Sequence, residues 1–351
     1  MAKKARVYDG TAWQELASAQ TDLTAYSTTA QTTAGFRNAI INGGFDIWQR
    51  GTSFTQTNFN AGNIYTADRT AIIWNNVPTS VTVSQQTFTP GAAPVTGYEG
   101  TFFWRSTITT VGTNTIWGYS QRIEDVRDFA GRTATISFWA KADTSRNVTV
   151  ELNQNFGSGG SSTVTATNTA VAITSSWARY SLTVNVPSIS GKTIGTNNYL
   201  QLVILQTSAS GSVLDLWGVQ VEAGTVATPF EQRPIGTELA LCQRYYYRLA
   251  QNTSRYGSGY AKTSTTADIL VDFPVTMRTA PTALEQSGTA GDYLIAYQNS
   301  AVAGSSVPTF TSATVKACTV NFNVGAVLTA GNGVMGGPNG ANSYLGFSAE
   351  L

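Results

Sequence analysis

The sequence predicts an all-β protein with two β domains behind an extended N-terminal arm. Short runs of alternating apolar and polar residues, broken by Gly, Pro and Asn, recur along most of the chain, while helical periodicity is nearly absent. Charged residues make up 12% of the 351 residues, against about 25% in an average globular domain. Several strands with one-sided alternation favour a two-sheet β-sandwich. We place the boundaries at residues 1–35, 36–235 and 236–351.

The N-terminal arm begins with a predicted hairpin. Asp9 and Gly10 tolerate the positive φ angles of a two-residue turn, and Val7 and Trp13 lie on the flanking strands. Residues 17–35 are rich in Thr, Ser, Ala and Gln and have too few apolar residues to form a core. We therefore predict a linker, or an arm that becomes ordered against a partner.

The first domain contains the clearest strand patterns. In the sequence "TATISFWAKAD", alternation places Phe138 and its i±2 neighbours inside and Trp139 outside. The sequence "VTVELNQNF" places Leu152 inside and Glu151 and Asn153 outside, and "WARYSLTVNVP" places Trp177 and Arg179 outside. The run "YLQLVILQTS" is apolar on both faces and predicts a covered central strand.

The spacing of two of these strands predicts a register. If Thr144–Arg146 is a three-residue hairpin loop, Phe138 faces Leu152, which keeps core residues together. Trp139 then lies opposite Glu151 on the outer face.

The stretch "VEAGTVATPFEQRPIGTELALCQRYYYRL" predicts a seam between the domains. Two prolines end the first domain, and Thr237 is suited to cap barely one helical turn. Tyr245, Tyr246 and Tyr247 then begin the second domain, with Tyr246 pointing away from the other two, which leaves an aromatic face for a neighbour. Alternating apolar residues in "DILVDFPVTMR" and "VKACTVNFNV" continue this smaller β domain.

Composition excludes several classes of function. Histidine is absent, which removes Ser-His and Cys-His catalysis and His-ligated metals. The net charge of +1 predicts no nucleic-acid partner, no apolar run is long enough to insert into a membrane, and the N-terminus has no signal-peptide pattern. Cys242 and Cys318 are predicted to be buried free thiols in a chain that folds in a cytoplasm. We predict no cofactor.

Several phrases carry a resemblance to a known class of protein. These are "FRNAIINGGFDIWQRGTSF", "YTADR", "VQVEAGTVATPFEQRPIGTELALCQRYYYR" and "FPVTMRTAP", within residues 36–282. They resemble the tail-fibre and receptor-binding proteins of tailed bacteriophages. Within the same span, "GRTATISFWAKAD", "SSWARYSLTVNVP" and "LWGVQVEAG" resemble the jelly rolls of carbohydrate-binding modules.

The resemblance implies a virion structural protein, commonly a homotrimer, with a jelly roll of the sugar-binding type and an N-terminal arm that attaches it to other virion proteins. Related modules often hold calcium between an early "NGxFE" phrase and acidic residues of the last strand. Here Asp46 and Asp215 are the weak candidates, because Trp217 and Gly218 stand where the acidic pair is expected. We therefore predict no metal.

A sugar site needs flat aromatic rings for the apolar face of a pyranose and amides or carboxylates for its hydroxyl groups. We predict that Trp139, Glu151, Asn153, Trp177 and Arg179 form such a groove on the outer face of the sandwich. The competing interpretation is that this face packs against a neighbouring domain or subunit.

Two functions remain open at this stage. The first is a tail-fibre or appendage subunit of a virion, assembled in the host cytoplasm, that binds host-surface polysaccharide without catalysis. The alternative is a capsid decoration protein that uses the jelly roll for protein contacts. A depolymerising tailspike fits less well, because no long repeat is present and no spacing singles out the carboxylate pair that a glycosidase needs.

Overall fold

The structure is a computed structural model, and it describes residues 6–8, 13–15, 36–56, 64–75, 80–95, 98–110, 116–207, 212–250 and 255–351. Strands β1 (Arg6–Tyr8) and β2 (Trp13–Glu15) pair antiparallel with Tyr8 opposite Trp13. The predicted N-terminal hairpin is therefore confirmed. The turn between its strands and the rest of the predicted arm lie outside the described residues.

Twelve strands form the first domain: β3 (Ser53–Gln56), β4 (Ile64–Tyr65), β5 (Ala71–Asn75), β6 (Ser80–Thr87), β7 (Phe102–Thr110), β8 (Ile116–Ile123), β9 (Thr133–Ala142), β10 (Arg146–Asn155), β11 (Val164–Ile173), β12 (Ala178–Asn185), β13 (Tyr199–Thr207) and β14 (Val213–Ala223). They form two antiparallel six-stranded sheets. Sheet 1 has the order β11-β10-β13-β8-β5-β4, and sheet 2 has the order β12-β9-β14-β7-β6-β3. The core lies between these sheets, so the predicted sandwich is confirmed.

The alternation read from the sequence places the core residues correctly. Phe138 of β9, Leu152 of β10 and Leu202 of β13 are all fully buried in one cluster. Strand β13 is the third of six in its sheet, and its outward Val203 is also buried, in agreement with the predicted covered central strand.

The predicted hairpin register between β9 and β10 is wrong. Strand β9 pairs with β12 and β14, whereas β10 pairs with β11 and β13 in the other sheet. The chain crosses from one sheet to the other after Ala142. Phe138 and Leu152 therefore share the core from opposite sides, which satisfies both alternation patterns without pairing the strands.

A helix, α1 (Ile235–Gln243), joins the two domains. It is nine residues long, and it begins after Pro234 with no side-chain cap. The prediction of barely one turn capped by Thr237 is wrong in both respects. The helix carries Glu238 in its first turn and the buried Cys242 near its end.

The second domain is a smaller sandwich. Its strands are β15 (Tyr246–Ala250), β16 (Gly257–Ala261), β17 (Thr266–Asp272), β18 (Leu284–Gln286), β19 (Tyr293–Tyr297), β20 (Ser300–Ala303), β21 (Thr309–Ala313), β22 (Ala317–Asn323), β23 (Gly333–Pro338) and β24 (Tyr344–Ser348). Sheet 3, of order β15-β24-β18, and sheet 4, of order β20-β19-β23-β16-β17-β22-β21, enclose a second core. Cys242 and Cys318 are buried free thiols, as predicted. Within the described part of the chain, no helix is long and apolar enough to span a membrane.

Candidate ligand-binding site

The aromatic part of the predicted sugar groove lies on the outer face of sheet 2. Trp139 is opposite Arg179 of β12 and Trp217 of β14, and its ring lies 4.6 Å from the Arg179 guanidinium and 5.3 Å from the Trp217 ring. Only 7% of Trp139 is exposed, so the prediction that its ring faces solvent is wrong. The segment after β14 covers this face, since Arg179 donates to the carbonyl oxygens of Ala227 and Thr228.

The polar part of the predicted groove lies on the outer face of the other sheet. Glu151 accepts hydrogen bonds from Asn153 Nδ2 at 3.1 Å and from Asn168 Nδ2 at 2.8 Å. Asn153 Oδ1 accepts a further one from Thr165. Because sheets 1 and 2 carry these two groups on opposite outer faces, the five residues do not form one groove. The cause is the crossover between β9 and β10.

Trp177 stays at the rim of the aromatic face. It is partly buried against Phe88 and Phe103, with ring centroids 5.5 and 5.4 Å away, and Lys141 Nζ lies 5.4 Å from its ring. Sugar contact by Trp177 stays a prediction.

The two calcium candidates lie in different environments. Asp215 accepts two charge-assisted hydrogen bonds from Arg105, at 2.7 and 2.8 Å, and lies 3.6 Å from Lys141 Nζ. Its negative charge is therefore compensated by side chains. Asp46 lies in the loop before β3. Among the described residues, no group of three or more His, Cys, Asp or Glu side chains is placed to hold a metal.

The tyrosine triplet lies between the two domains. The Arg69 guanidinium stacks 3.5 Å from the centre of the Tyr245 ring, and Arg50 stacks 3.4 Å from that of Tyr246. Tyr247 packs on Phe273 and Phe347 of the second core. The sequence had suggested that these tyrosines leave an aromatic face for a neighbour. Tyr245 and Tyr246 are almost completely buried by their own chain, so these two rings do not form a surface for another copy.

A cavity of about 730 Å³ opens beside this seam, at one edge of the first domain. Its wall combines the loop before β3, residues next to β7, and the segment that leads into α1. The charged and aromatic side chains of this wall include Asp46, Tyr98, Glu99, Phe230, Glu231, Arg233 and Glu238.

Asparagine side chains hold the loop before β3 in shape. Asn42 has a φ of +59°, a left-handed conformation that Asn tolerates better than most residues. Its side chain accepts a hydrogen bond from Ile47 N and donates to the carbonyl oxygens of Ile47 and Asp68. Asn38 ties the same loop to β14 through Val219 O and Val221 N. These bonds fix the backbone on either side of Asp46.

Gly44 brings the Asp46 carboxylate and the Phe230 ring together. A Cβ atom at this position would lie 3.0 Å from Asp46 Oδ2 and 3.6 Å from Phe230 Cε1. Both groups therefore line the same small space because residue 44 has no side chain.

A bulge in β14 supports the aromatic wall. The register with β9 shifts between Trp217 and Gln220, where Gly218 has a φ of +62°, and a Cβ there would lie 2.7 Å from the Trp139 ring. Trp217 faces outward just before the bulge, where it contacts Tyr98 and Phe230 with centroids 5.2 and 5.1 Å away. The buried tryptophans thus position the rings that line the cavity.

The carboxylates of the cavity differ in their partners. Glu231 accepts hydrogen bonds from the backbone N–H groups of Arg37 and Asn38, both at 2.9 Å. Glu238 accepts one from Asn42 N, and Arg233 lies 3.2 Å from Glu231 and 3.3 Å from Glu238. These two carboxylates hold the wall together.

Asp46 has no such partner, because within the described residues its carboxylate accepts no hydrogen bond. Burial, reinforced by the negative charge of Glu238, raises the pKa of Asp46 to about 6. Burial, together with the nearby Asp46 charge, raises the pKa of Tyr98 to about 12. An aromatic ring and an unpaired carboxylate therefore face the same space.

Sequence reasoning missed this cavity, although its residues were among those already quoted. The "NGGFD" and "TPFEQRP" phrases carried the resemblance and together form much of the wall. Their separation of almost two hundred residues hid the contact, and only the strand order brings them together.

No protein-family model matches the sequence, and no curated protein matches it. Among solved structures, the enzymatically active domain of tailspike protein 4 of bacteriophage CBA120 is 17% identical, with a TM-score of 0.34, over 53% of this chain and 21% of that one. TmCBM61, solved with β-1,4-galactotriose, is 11% identical with a TM-score of 0.31, over 54% and 100% of the two chains. The Stig cyclase Fisc from Fischerella sp. TAU is 13% identical with a TM-score of 0.34, over 54% and 98%. The match thus spans about a fifth of the tailspike domain.

Proposed function

We propose that this protein is a non-enzymatic glycan-binding subunit of a bacteriophage virion, a tail fibre or appendage, assembled in the host cytoplasm. The phage role rests on the sequence phrases described above. Glycan binding rests on one observation, the cavity in which Tyr98, Phe230 and the unpaired Asp46 carboxylate converge. Stacking on an aromatic ring and hydrogen bonding to a fixed carboxylate are the two contacts that a pyranose needs.

Single sites of this kind bind weakly. One stacked ring and two or three hydrogen bonds give about 4–5 kcal/mol, a Kd on the order of a millimolar. Three such sites on one trimeric fibre raise the avidity by roughly a hundredfold or more where the spacing fits the surface. Host-surface polysaccharide presents repeated sugars and is therefore the expected partner.

The test compares the cavity with the outer aromatic face. Tyr98→Ala removes a ring from the cavity, and we expect it to weaken binding of host envelope polysaccharide roughly tenfold. Trp177→Ala removes the partly exposed ring of the outer face, where the sequence predicted sugar contact; with the site in the cavity instead, this change is expected to leave that affinity unchanged. Calorimetry on the purified protein measures both. If Trp177→Ala abolishes binding and Tyr98→Ala does not, the sugar site lies on the outer face instead.

We propose no hydrolase activity. A glycosidase needs one carboxyl group as acid and a second as base or nucleophile. Asp46 fits the acid, but Glu231 and Glu238 are occupied by Arg233 and by backbone N–H groups, and the exposed Glu99 accepts a hydrogen bond from Gly91 N at 3.1 Å, so each of the other carboxylates in the described lining already has a partner. Incubation with host polysaccharide should release no reducing ends. Release that disappears in Asp46→Asn would overturn this.

We propose a homotrimer whose subunits meet through sheet 4 rather than through the buried tyrosine triplet. Leu270 and Met335 flank Ser258 on neighbouring strands of sheet 4, and Tyr260 lies two residues further on. These three large side chains are 45–51% exposed, and covering them against copies of the chain would bury their apolar area. Leu270→Asp should reduce the mass measured by light scattering from trimer to monomer. A monomeric unmodified protein at micromolar concentration would refute the trimer.

The decoration-protein alternative predicts a different location. Labelled antibody against this chain should mark the tail in electron micrographs of intact particles. Labelling spread over the capsid would favour decoration.

A further inference from the structure

The cavity has an uneven charge balance. Among its described lining residues, four are carboxylates, Asp46, Glu99, Glu231 and Glu238, and one is a guanidinium, Arg233. Both terminal nitrogens of Arg233 are engaged by the wall itself: NH1 donates to Ile40 O and Glu238, and NH2 to Asn38 O and Glu231. Only its buried Nε lacks a partner. The cavity therefore has little to offer an anionic ligand.

The unpaired negative charge lies beside aromatic rings. Asp46 Oδ2 and the Phe230 ring both border the small space next to Gly44. The centroids of the Tyr98 and Phe230 rings are 6.4 Å apart. A ring face attracts a cation through its quadrupole, and a carboxylate attracts it through its charge. A neutral sugar would use the rings but would leave the Asp46 charge uncompensated.

From this juxtaposition we propose that the cavity selects a sugar that carries a free, protonated amine. The ammonium group sits against Asp46, and the Tyr98 and Phe230 rings hold the ring of the same sugar. This rests on the proposed function, because it names the chemical class of sugar bound at that site. Uronic acids and other acidic sugars are excluded by the four carboxylates.

The charged groups around Asp46 give the proposal a pH dependence. Glu238 approaches it from α1, Tyr98 and Glu99 from the segment before β7, and Arg233 from the segment before α1. An ammonium ligand favours ionised Asp46, so binding releases a proton where Asp46 is normally protonated. Affinity should then fall as the pH is lowered from 6 to 4, a range in which the sugar amine stays protonated while Asp46 loses its charge, and Asp46→Asn should remove most of this fall.

The experiment uses two tetrasaccharides that differ in whether the amine of each sugar is free or acetylated, and therefore in charge. The tetramer of glucosamine, with free amines, and its fully N-acetylated counterpart are titrated into the intact protein by calorimetry at pH 6.5 and low salt. We expect the amine form to bind roughly tenfold more tightly, and added salt to reduce this advantage. In Asp46→Asn the two affinities should agree within about twofold. Tetragalacturonate, with carboxylates instead, should not bind.

The outcomes separate this inference from the function beneath it. Equal or tighter binding of the N-acetylated form overturns the amine preference and leaves glycan binding in place. The amine preference is also overturned, and glycan binding again left in place, if neither tetrasaccharide binds while host polysaccharide still binds and Tyr98→Ala still weakens that binding. If Tyr98→Ala leaves polysaccharide binding unchanged, the proposed site itself fails, and the amine preference fails with it.

Discussion

In the seam between the domains, the Glu350 carboxylate contacts the guanidiniums of both Arg50 and Arg69, whereas in the cavity the Asp46 carboxylate contacts no cation among the described residues. The seam also satisfies Glu124, through Arg244 at 3.1 Å and the Tyr245 hydroxyl at 2.8 Å. Both regions bury carboxylates beside tyrosines. What differs is that the chain itself supplies positive charge to the seam carboxylates, whereas the described residues supply none to Asp46.

The largest expected effect comes from breaking the seam. The Arg69 side chain is 1% exposed; it pairs with Glu350, stacks on Tyr245 and donates to Arg122 O at 2.7 Å. Arg69→Ala leaves Glu350 short of one partner and should reduce the free energy of unfolding by about 3–5 kcal/mol. Urea unfolding followed by tryptophan fluorescence measures the change.

The matched control is Arg127→Ala. Arg127 pairs with Asp125 at 2.9 Å, but 57% of its side chain is exposed, so its loss should cost less than about 1 kcal/mol. Equal losses in the two variants would mean that the seam is as solvated as the surface, and the contrast with the cavity would disappear.

A somewhat smaller effect is expected behind the cavity wall. Trp139 packs on Trp217, which supports Tyr98 and Phe230. Trp139→Ala should therefore reduce the free energy of unfolding by about 3 kcal/mol, and Trp139→Phe by roughly 1–2 kcal/mol, while glycan affinity falls by less than the tenfold expected for Tyr98→Ala, because Trp139 acts on the cavity rings only through Trp217. Calorimetric melting and titration measure both quantities. Unchanged stability with abolished binding would restore the outer face as the sugar site.

The sequence predicted the sandwich well because each strand's alternation is a local property. Phe138, Leu152 and Val320 are all buried in a core, and the alternation within each strand predicts this whichever strands lie next to it. Strand pairing is not local, and this is why the register between Trp139 and Glu151 failed: alternation is satisfied equally by a hairpin and by a crossover between facing sheets.

The predicted groove on the outer face was wrong because strand pairing is not local, and also because a distant segment covers part of that face. Trp139 looked exposed because it alternates with core residues, but the segment after β14 covers it through Arg179, a contact that no pattern within β9 encodes. Likewise, nothing adjacent to Asp46 in sequence shows that Phe230 lines the same space. The "NGGFD" and "TPFEQRP" phrases belong to the segments that line the cavity, and only the packing of these segments shows that they meet.

The smallest expected effect tests the unpaired charge directly. The pKa of Asp46 is raised from 3.8 to about 6, so the folded chain holds this proton more tightly than the unfolded chain does. Stability therefore falls as the pH rises through this window and stays lower above it. Asp46→Asn removes the penalty, so its melting temperature should match the unmodified protein near pH 3.5 and exceed it by roughly 2–4 °C at pH 7.

Differential scanning calorimetry across this pH range measures the gain. Glu99→Gln, at an exposed carboxylate on the same cavity, is the control, and it should change the stability by less than about 0.5 kcal/mol. A loss of stability in Asp46→Asn at pH 7 would show that the carboxylate already has a partner within the chain. The carboxylates of the cavity would then be paired within the chain, as those of the seam are, and the argument for a cationic ligand would be lost.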